Sequence, residues 1–329
     1  MKSTLQYLFA GKSLTTDEAA VLLKDIAAGK HNELQVAAFL SVYNMRFPTT
    51  EELIGFRNTM LELAKPVKIN SSKTIDIVGT GGDGKDTFNI STLACFVCAG
   101  AGVKVTKHGN YSASSVSGAS DVLEHIGIKF AHDENKLNEQ LEAANITFLH
   151  APLFHPAMKN LANLRKQLQV KTIFNLLGPL INPVQPKKML IGVHSENIGK
   201  LYQAVLSQLN IEFSIVHTID GYDEVSLTNN AKVFDKKKEK LYTPDELGFG
   251  VLKQTDLHGG DTKASNAKIF LDVLNNKSTV AQKNVVLANA ALAISLYEEN
   301  SYPAALSMAK NSLESGKALN VLEKLINLK

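Results

Sequence analysis

A glycine-rich segment between a strand pattern and a helix start is the part of the sequence best suited to bind an anion. Residues 74–78 (TIDIV) are a β-branched run that predicts a buried strand, and residues 89–92 (NIST) begin an apolar helical stretch. Glycines and small polar side chains join them: Gly79, Thr80, Gly81, Gly82, Asp83, Gly84, Thr87, Asn89, Ser91 and Thr92. Because glycine lets the backbone approach a phosphate and a helix N-terminus presents free N–H groups, the pattern favours phosphate binding over a simple tight turn.

Neither of the commonest phosphate-binding loops fits this segment. A P-loop needs Lys and then Ser or Thr after its last glycine, whereas Gly84 is followed by Lys85 and Asp86. The dinucleotide fingerprint would place its third glycine at Gly84, which does not begin a helix. Asp83 inside the loop would repel a phosphate unless a metal ion or a hydroxyl-bearing substrate lay between them. The sequence therefore predicts a phosphate loop of another kind.

A second polar cluster, Lys107-His108-Gly109-Asn110, directly follows the strand pattern VKVT. A cation, an imidazole and an amide that emerge together from a strand end can hold a phosphate and a polar substrate. An ordinary surface loop is the alternative. Residues 112–120 then supply five serines and a glycine ahead of a predicted helix, which indicates a second possible phosphate cradle.

An acidic turn, residues 220–224 (DGYDE), follows the strand pattern at 212–219. Adjacent carboxylates in a turn are usually solvated. Alternatively, Asp223 and Glu224 hold a divalent cation, because Mg²⁺ prefers one or two carboxylates together with phosphate oxygens and water. The phosphate loop elsewhere in the chain favours the metal.

Arg165 lies in a helix-like stretch that follows His155 and Pro156. It is either an ordinary surface arginine or a residue that grips a carboxylate through two parallel hydrogen bonds. Downstream, the Gly-Pro and Asn-Pro pairs within residues 172–183 predict a rigid, turn-rich segment.

Two kinds of pattern divide the chain. Residues 1–70 predict helices only, with capping boxes that start at Thr15 and Thr49. Beyond them, strands and helices alternate at lengths typical of a mostly parallel sheet with covering helices. The predicted strands are 74–78, 103–107, 146–150, 189–194 and 212–219, with strand pairs and loops at 230–260 and helices at 285–329. We therefore predict an α/β fold: a large α/β domain at 71–329 with a central, mostly parallel sheet, plus a small all-α N-terminal domain.

Composition excludes several classes of protein. A net charge of +3 over 329 residues is too small to indicate a nucleic-acid or membrane surface. The two cysteines, Cys95 and Cys98, lie three residues apart on an apolar helix, which favours core packing over zinc or redox chemistry. The sequence shows no signal-peptide pattern and no apolar run of membrane-spanning length. We expect a cytoplasmic protein.

Together these motifs resemble those of the anthranilate phosphoribosyltransferases. The matching blocks follow the family's order over most of the chain: GTGGD at 79–83, NIST at 89–92, KHGN at 107–110, SG before a DVLE helix at 117–124, HPAM at 155–158, TIFNLLGPLINP at 172–183, DGYDE at 220–224 and GGD at 259–261. One such motif is weak evidence, whereas the set is highly specific. The resemblance implies transfer of the 5-phosphoribosyl group from phosphoribosyl pyrophosphate to the amino nitrogen of anthranilate, with release of pyrophosphate, in tryptophan biosynthesis.

The resemblance also implies an architecture and partners. The family joins a small helical domain by hinges to a larger α/β domain, and helices from about 155–185 are expected to rejoin the helical part. A homodimer and two Mg²⁺ ions per subunit are implied. No nucleic acid and no membrane is expected as a partner.

Residue roles follow by the same resemblance. Phosphoribosyl pyrophosphate would be bound by Gly79, Thr80, Gly81, Gly82, Asp83, Thr87, Asn89, Ser91, Thr92, Lys107 and Ser120, whereas position 119 holds Ala119 and no serine. Anthranilate would be bound by Gly79, His108, Asn110 and Arg165, with Arg165 on its carboxylate. The magnesium ligands would be Ser91, Asp223 and Glu224. No catalytic residue or general base is assigned, because a neutral amine nucleophile depends more on positioning than on a strong base.

Two positions depart from the family pattern. Members commonly have Arg after KHGN and Lys within the serine segment, where this chain has Tyr111 and Val116. The loss of two cations would weaken the binding of an anionic substrate unless Lys104 or Lys171 replaces them. The departure concerns affinity more than the type of reaction.

Two rival interpretations share this fold. Pyrimidine nucleoside phosphorylase-like enzymes are longer and have KHS where this chain has KHG. Non-catalytic, nucleic-acid-binding relatives have eroded GTGGD and DE motifs, which are intact here, and a basic face that the charge balance does not suggest. The sequence therefore favours the transferase.

Overall fold

The computed structural model describes residues 1–112 and 116–328. Within them, seven strands form one sheet in the order β3-β2-β1-β4-β5-β6-β7. The strands are β1 Ile75–Gly79, β2 Val105–Gly109, β3 Ile146–His150, β4 Lys188–Gly192, β5 Glu212–Thr218, β6 Ala231–Phe234 and β7 Glu239–Tyr242. The first five are parallel, and β6 and β7 add an antiparallel hairpin at one edge. With the helical N-terminal part described below, this confirms the predicted fold class.

Fifteen α-helices accompany the sheet in the described part of the chain. They are α1 Lys2–Phe9, α2 Thr16–Ala27, α3 Glu33–Met45, α4 Thr50–Glu62, α5 Ile90–Gly100, α6 Ala119–His125, α7 Glu134–Ala144, α8 Ala151–Phe154, α9 Lys159–Leu168, α10 Ile173–Leu177, α11 Glu196–Ser207, α12 Lys263–Leu274, α13 Val280–Glu298, α14 Tyr302–Glu314 and α15 Lys317–Asn327. None of the described helices is both long enough and apolar enough to span a membrane.

The chain divides into two compact units. Unit 1 comprises Met1–Val67 and Ala151–Pro183, and unit 2 comprises Lys68–His150 and Val184–Lys329. In its described residues unit 1 contains helices and no strand, whereas unit 2 holds the whole sheet.

Unit 1 contains an ion pair between the buried Glu52 and the half-buried Arg46, in addition to its apolar packing. Thr15 and Thr49 form the predicted capping boxes with Glu18 and Glu52. The Glu52 side chain is fully buried, and its Oε1 accepts a hydrogen bond from Arg46 Nη2 at 2.7 Å. Tyr43 and the backbone of residue 14 also donate to Glu52. Because Arg46, Tyr43 and the backbone of residue 14 all donate to it, the Glu52 carboxylate can lie in the helical core.

Unit 2 is built around α5, which follows β1 and is buried over most of its length. α5 packs against β1, α13 and α15. Cys95 and Cys98 on this helix are fully buried free thiols, which confirms their predicted role in core packing. The start of α5 is thereby held against the end of β1.

The strand order defines where a ligand is expected to bind. From β1 the chain runs outward to β2 and β3, and it later returns beside β1 to form β4 and β5. The order therefore reverses between β1 and β4, where Gly79 pairs with Gly192 at the strand ends. In open parallel sheets ligands bind outside the carboxyl ends of the strands at this switch point.

The predicted boundary of β2 was wrong. The strand predicted at 103–107 is observed at Val105–Gly109, so His108 and Gly109 lie within it together with Lys107, and the three pair with residues 148–150 of β3. A polar cluster suggested a loop, yet backbone pairing with a neighbouring strand extends β2 regardless of side-chain polarity. Residues 113–115 of the predicted serine cradle lie outside the described residues.

Candidate active site

The carboxylate of Asp223 lies directly over the switch point of the sheet. A Cβ on Gly79 would lie 2.4 Å from Asp223 Oδ2, and a Cβ on Gly192 would lie 1.6 Å from the Asp223 carbonyl oxygen. Both positions therefore exclude a side chain. The Gly81 N–H donates to Asp223 Oδ2 at 2.7 Å, so the acidic turn and the glycine segment are in contact.

Glu224 connects the same turn to the start of α5. Its Oε1 accepts hydrogen bonds from the Ser91 backbone N–H at 2.8 Å and from the Ser91 hydroxyl. Its second oxygen, Oε2, is buried and has no hydrogen-bond partner among the described residues. A buried carboxylate oxygen without a partner is costly, so this atom indicates a missing ligand.

Burial makes both carboxylates hard to ionise. Asp223 and Glu224 are 8% and 7% exposed, so the alternative of a solvated acidic turn is wrong. Burial raises the pKa of Asp223, and repulsion from Asp83 raises it further. Burial likewise raises the pKa of Glu224, with Asp223 as the next cause. A cation at this corner would reverse these shifts, because it favours the charged forms.

The glycine segment adopts a conformation that few other residues allow. Gly81, Gly82 and Gly84 have φ angles of 66°, 72° and 71°, in the left-handed region. Asp83 Oδ1 accepts a hydrogen bond from the Lys85 N–H, and the Lys85 ammonium lies 4.7 Å from the centre of the Tyr222 ring. The segment therefore contacts the acidic turn along its length.

The polar residues at and before the start of α5 make hydrogen bonds or contacts with only some of their polar atoms. Asn89 precedes the helix; its Nδ2 donates to the Ser117 carbonyl at 3.3 Å, while its Oδ1 is buried and has no partner within residues 1–112 and 116–328. Thr92 is buried within the helix. Thr87 forms an isolated β-bridge with His258. Thr80 is close to His194, with 3.3 Å between Oγ1 and Nδ1.

The residues of β2 are more buried than the sequence suggested. Lys107 is 4% exposed, and its ammonium donates to the Ile77 carbonyl of β1 at 2.6 Å. The backbone N–H of His108 donates to Asp76 at 3.2 Å. Lys107 thus brings a cation inside the sheet, next to the strand that ends in the glycine segment.

Beyond β2, the side chains form a network of their own. Asn110 is exposed, and its Oδ1 accepts a hydrogen bond from the Tyr111 N–H. Ser120 is buried, and its hydroxyl lies 2.8 Å from His150 Nδ1, so the group predicted to bind a phosphate has a protein partner. Ala119 adjoins Ser120 and offers no hydroxyl. Tyr111 and Val116 are exposed.

Arg165 belongs to unit 1, whereas the other predicted site residues belong to unit 2. Its guanidinium carbon lies 5.5 Å from the centre of the Phe174 ring. Burial lowers the pKa of Arg165, and no described carboxylate pairs with it. It is therefore a partly desolvated cation and not the ordinary surface arginine that was the alternative.

The structure brings six of the predicted residues together where β1 ends, where α5 begins and in the turn that follows β5. They are Gly79, Gly81, Asp83, Ser91, Asp223 and Glu224. Gly192 was missed. The available signal was a glycine at the end of the strand pattern at 189–194, but its meaning depends on the chain segment that passes over it.

Comparisons with known proteins define the class. The model of a glycosyl transferase family, a/b domain, matches residues 71–319, and the helical bundle domain of such a family matches residues 2–64. Fold, site and both models agree on a glycosyl transferase that combines a helical bundle with an α/β domain.

Curated relatives narrow this class. The chain is 51% identical over 329 residues to an anthranilate phosphoribosyltransferase of Bacteroides thetaiotaomicron, covering 100% of this chain and 99% of the relative. It is 50% identical to the Cytophaga hutchinsonii enzyme of the same name, covering 99% and 100%. The chain belongs to the anthranilate phosphoribosyltransferases, which confirms the resemblance stated from the motifs.

Solved structures agree. An anthranilate phosphoribosyltransferase from Thermus thermophilus superimposes with a TM-score of 0.92 at 32% identity, covering 98% of each chain. The Saccharomyces cerevisiae enzyme, solved with phosphoribosyl pyrophosphate and Mg, gives a TM-score of 0.92 at 27% identity, covering 99% of this chain and 96% of that one.

Proposed function

We propose that the corner formed by the glycine segment, Asp223 and Glu224 carries out the family's reaction in this chain. The 5-phosphoribosyl group passes from phosphoribosyl pyrophosphate to the amino nitrogen of anthranilate. Pyrophosphate leaves, and N-(5-phosphoribosyl)anthranilate is formed. The observation that carries the assignment is the buried, partner-free Oε2 of Glu224 beside a second buried carboxylate.

These residues fit Mg²⁺. Asp223, Glu224 and the Ser91 hydroxyl are hard oxygen ligands of the kind that this ion prefers. Among the described residues, no group of three or more His, Cys, Asp or Glu side chains is arranged to hold a metal by itself. Oxygens of the diphosphate and water would therefore complete the coordination. When bound, Mg²⁺ offsets the negative charge that gathers on the leaving pyrophosphate. Two ions per subunit stay a prediction.

The chain's own groups supply binding and orientation. Apart from the Gly81, Lys85 and Ser91 N–H groups, which donate to carboxylates of the protein, the N–H groups of the glycine segment and of the start of α5 are the proposed donors for the phosphate oxygens. Asp83 is the acceptor that we assign to the ribose hydroxyls, and the surrounding carboxylates would tolerate the positive charge that develops on the sugar. Lys107, with one donor used by the Ile77 carbonyl, offers its others to a phosphate.

Fluorescence of anthranilate tests the assignment directly. We expect anthranilate to be consumed only when both phosphoribosyl pyrophosphate and Mg²⁺ are present. Asp223→Asn together with Glu224→Gln should lower kcat at least about 100-fold and change the Mg²⁺ titration, because both carboxylate ligands are lost.

The chain offers a matched control for this experiment. Asp245→Asn with Glu246→Gln alters the same dipeptide at an exposed site, and it should keep the wild-type titration. An unchanged magnesium titration in the Asp223 and Glu224 variant would remove these residues from the proposed site.

We also propose a homodimer formed through unit 1. This unit exposes large apolar side chains that a protein contact would cover: Tyr7, Phe9, Val21, Leu34, Met45 and Phe47. Sedimentation velocity should give a species of twice the 35.7 kDa chain mass. A monomer at micromolar concentration would contradict the proposal. The cytoplasmic location stays a prediction.

A further inference from the structure

The buried part of α13 contains a single polar side chain. Residues 285–294 of this helix are all buried, and every one of them is apolar except Asn289. An amide in such a run lowers the stability of the fold unless hydrogen bonds replace those that it makes with water. The partners of Asn289 therefore indicate what the residue does.

The Asn289 amide is bonded to the residue that follows the acidic pair Asp223-Glu224. Its Oδ1 accepts a hydrogen bond from the Val225 N–H at 3.1 Å, and its Nδ2 donates to the Val225 carbonyl oxygen at 2.8 Å. Nδ2 also donates to the Val285 carbonyl oxygen, one helical turn earlier. Because the Val225 N–H needs an oxygen acceptor, the first contact fixes the orientation of the amide. Asn289 thus holds both backbone groups of residue 225, as a neighbouring strand would.

Thr218, the last residue of β5, holds the same turn at further points. Its buried hydroxyl donates to the Glu224 carbonyl oxygen at 2.6 Å and accepts from the Ser226 N–H at 3.2 Å. Its own N–H donates to the Tyr222 carbonyl oxygen at 3.2 Å. The backbone on each side of Glu224 is therefore bonded to buried residues of unit 2.

The two carboxylates of this turn would otherwise tend to separate. Asp223 and Glu224 are buried next to each other, and both Asp223 and Asp83 repel the charge of Glu224. A turn that could move would relieve the repulsion by exposing one carboxylate to water. Such a movement would leave the bonded backbone groups at residues 224–226 buried and unsatisfied, which opposes it.

We propose that Asn289 and Thr218 are positioning residues of the corner that binds Mg²⁺. They fix the backbone around Glu224, so that both carboxylates are already in place before the ion binds. This inference rests on the proposed function and extends it to two residues that are not themselves ligands. In metal sites, the loss of a residue that orients a ligand typically lowers metal affinity by about 10- to 100-fold.

Thr218→Val tests the proposal with little change in side-chain volume, because it removes only the hydroxyl. Asn289→Leu removes the amide in the same way. Both should raise about tenfold the Mg²⁺ concentration at the midpoint of two titrations. The first follows the rise in Tm with inorganic pyrophosphate present and needs no turnover, and the second follows the rate of anthranilate consumption. Thr218→Ser keeps the hydroxyl and should restore both midpoints to within about twofold of the wild-type values.

Ser312→Ala is the matched control. The Ser312 hydroxyl is also buried and donates to a backbone carbonyl oxygen, that of Val97 in α5, at 2.7 Å. Its loss should lower the Tm, because a buried carbonyl loses its donor, and should leave both Mg²⁺ midpoints unchanged. A purely structural role for Thr218 would give this same result.

The outcomes separate this inference from the proposed function. If the wild type does not consume anthranilate with phosphoribosyl pyrophosphate and Mg²⁺, the proposed function fails. If the wild type is active and Thr218→Val and Asn289→Leu keep its midpoints, the two residues only stabilise the fold and the inference is overturned. Midpoints raised as much by Thr218→Ser as by Thr218→Val would also overturn it. If Asn289→Leu fails to fold, Thr218→Val still decides.

Discussion

At the scale of single residues, the groups assigned a function are charged side chains that are buried without an oppositely charged partner. Glu52 is more buried than Glu224, yet it has Arg46 as a partner. Glu224 shares its corner with Asp223, another carboxylate, and one of its oxygens has no donor in the part of the chain that the structure describes. Arg46 and Arg165 differ in the same way: Arg46 pairs with Glu52, whereas no described carboxylate pairs with Arg165. Charges that the protein leaves uncompensated are therefore those that a substrate or metal ion is expected to meet.

Arg165 gives a prediction that distinguishes the two substrates. Arg165→Ala should raise the KM for anthranilate about tenfold and affect phosphoribosyl pyrophosphate much less, because only anthranilate has a carboxylate for the guanidinium fork. Arg165→Lys should be intermediate, since lysine keeps the charge and loses the fork.

Lys166→Ala, at the exposed neighbouring position on α9, is the matched control. Steady-state kinetics with each substrate varied in turn measure the effect. Equal changes in both KM values would show that Arg165 does not recognise the carboxylate.

At the scale of elements, the site exists because two strands end in glycine. Gly79 and Gly192 pair across β1 and β4, and together they leave room for residue 223 to cross above them. The same crossing places Asp223 within reach of the Gly81 N–H, while Glu224 reaches the start of α5. The ends of β1 and β4, the start of α5 and the acidic turn therefore meet at residues 223 and 224, whose carboxylates accept hydrogen bonds from backbone N–H groups.

Gly79→Ala tests this arrangement. The new methyl group would lie 2.4 Å from Asp223 Oδ2, so the carboxylate must move and lose its contact with the Gly81 N–H. We expect kcat/KM to fall about 100-fold, the effect of a displacement of about 1 Å in an active site. A crystal structure of the variant should show the displaced carboxylate.

Gly250→Ala is the control for the effect of adding a methyl group to a glycine, because a Cβ there meets nothing within 4 Å. Its kcat/KM should stay at the wild-type value. If Gly79→Ala were equally active, close passage of Asp223 over β1 would not matter for turnover.

At the scale of the whole molecule, the acidic corner links stability to pH and to magnesium. The folded pKa is raised to about 7 for Asp223 and about 8 for Glu224, mainly by burial. In the unfolded chain such groups titrate near pH 4. The folded state therefore binds protons more tightly, and the free energy of unfolding falls as the pH rises from about 4 to about 8.

We expect the metal-free Tm to fall from pH 5 to pH 8 by on the order of 5 °C through this pair. Added Mg²⁺ should raise the Tm more at pH 8 than at pH 5, because the ion binds the deprotonated carboxylates. Differential scanning fluorimetry measures both effects. In Asp223→Asn with Glu224→Gln, the magnesium effect should disappear. An equal magnesium shift at both pH values would contradict the assignment.

Much of the fold could be predicted because the local residue patterns favour the same strands that backbone pairing forms in the sheet. The strands at 74–78, 146–150 and 212–219 were placed within a residue of their observed bounds. β2 was misplaced because its polar end imitates a loop. α12, residues Lys263–Leu274, was not predicted, since it lies beside a segment that reads as loops.

The sequence by itself determined the class of fold, the family and the residue types available for phosphate and metal binding, because these depend on local periodicity and on motifs read along the chain. Only the tertiary structure decided which polar residues are buried without partners. The sequence indicates that Asp223 and Glu224 could bind a metal, but it does not show that both are buried or that Glu224 Oε2 has no partner among the described residues. Desolvation depends on elements that are distant in the chain, so it becomes visible only when those elements pack together.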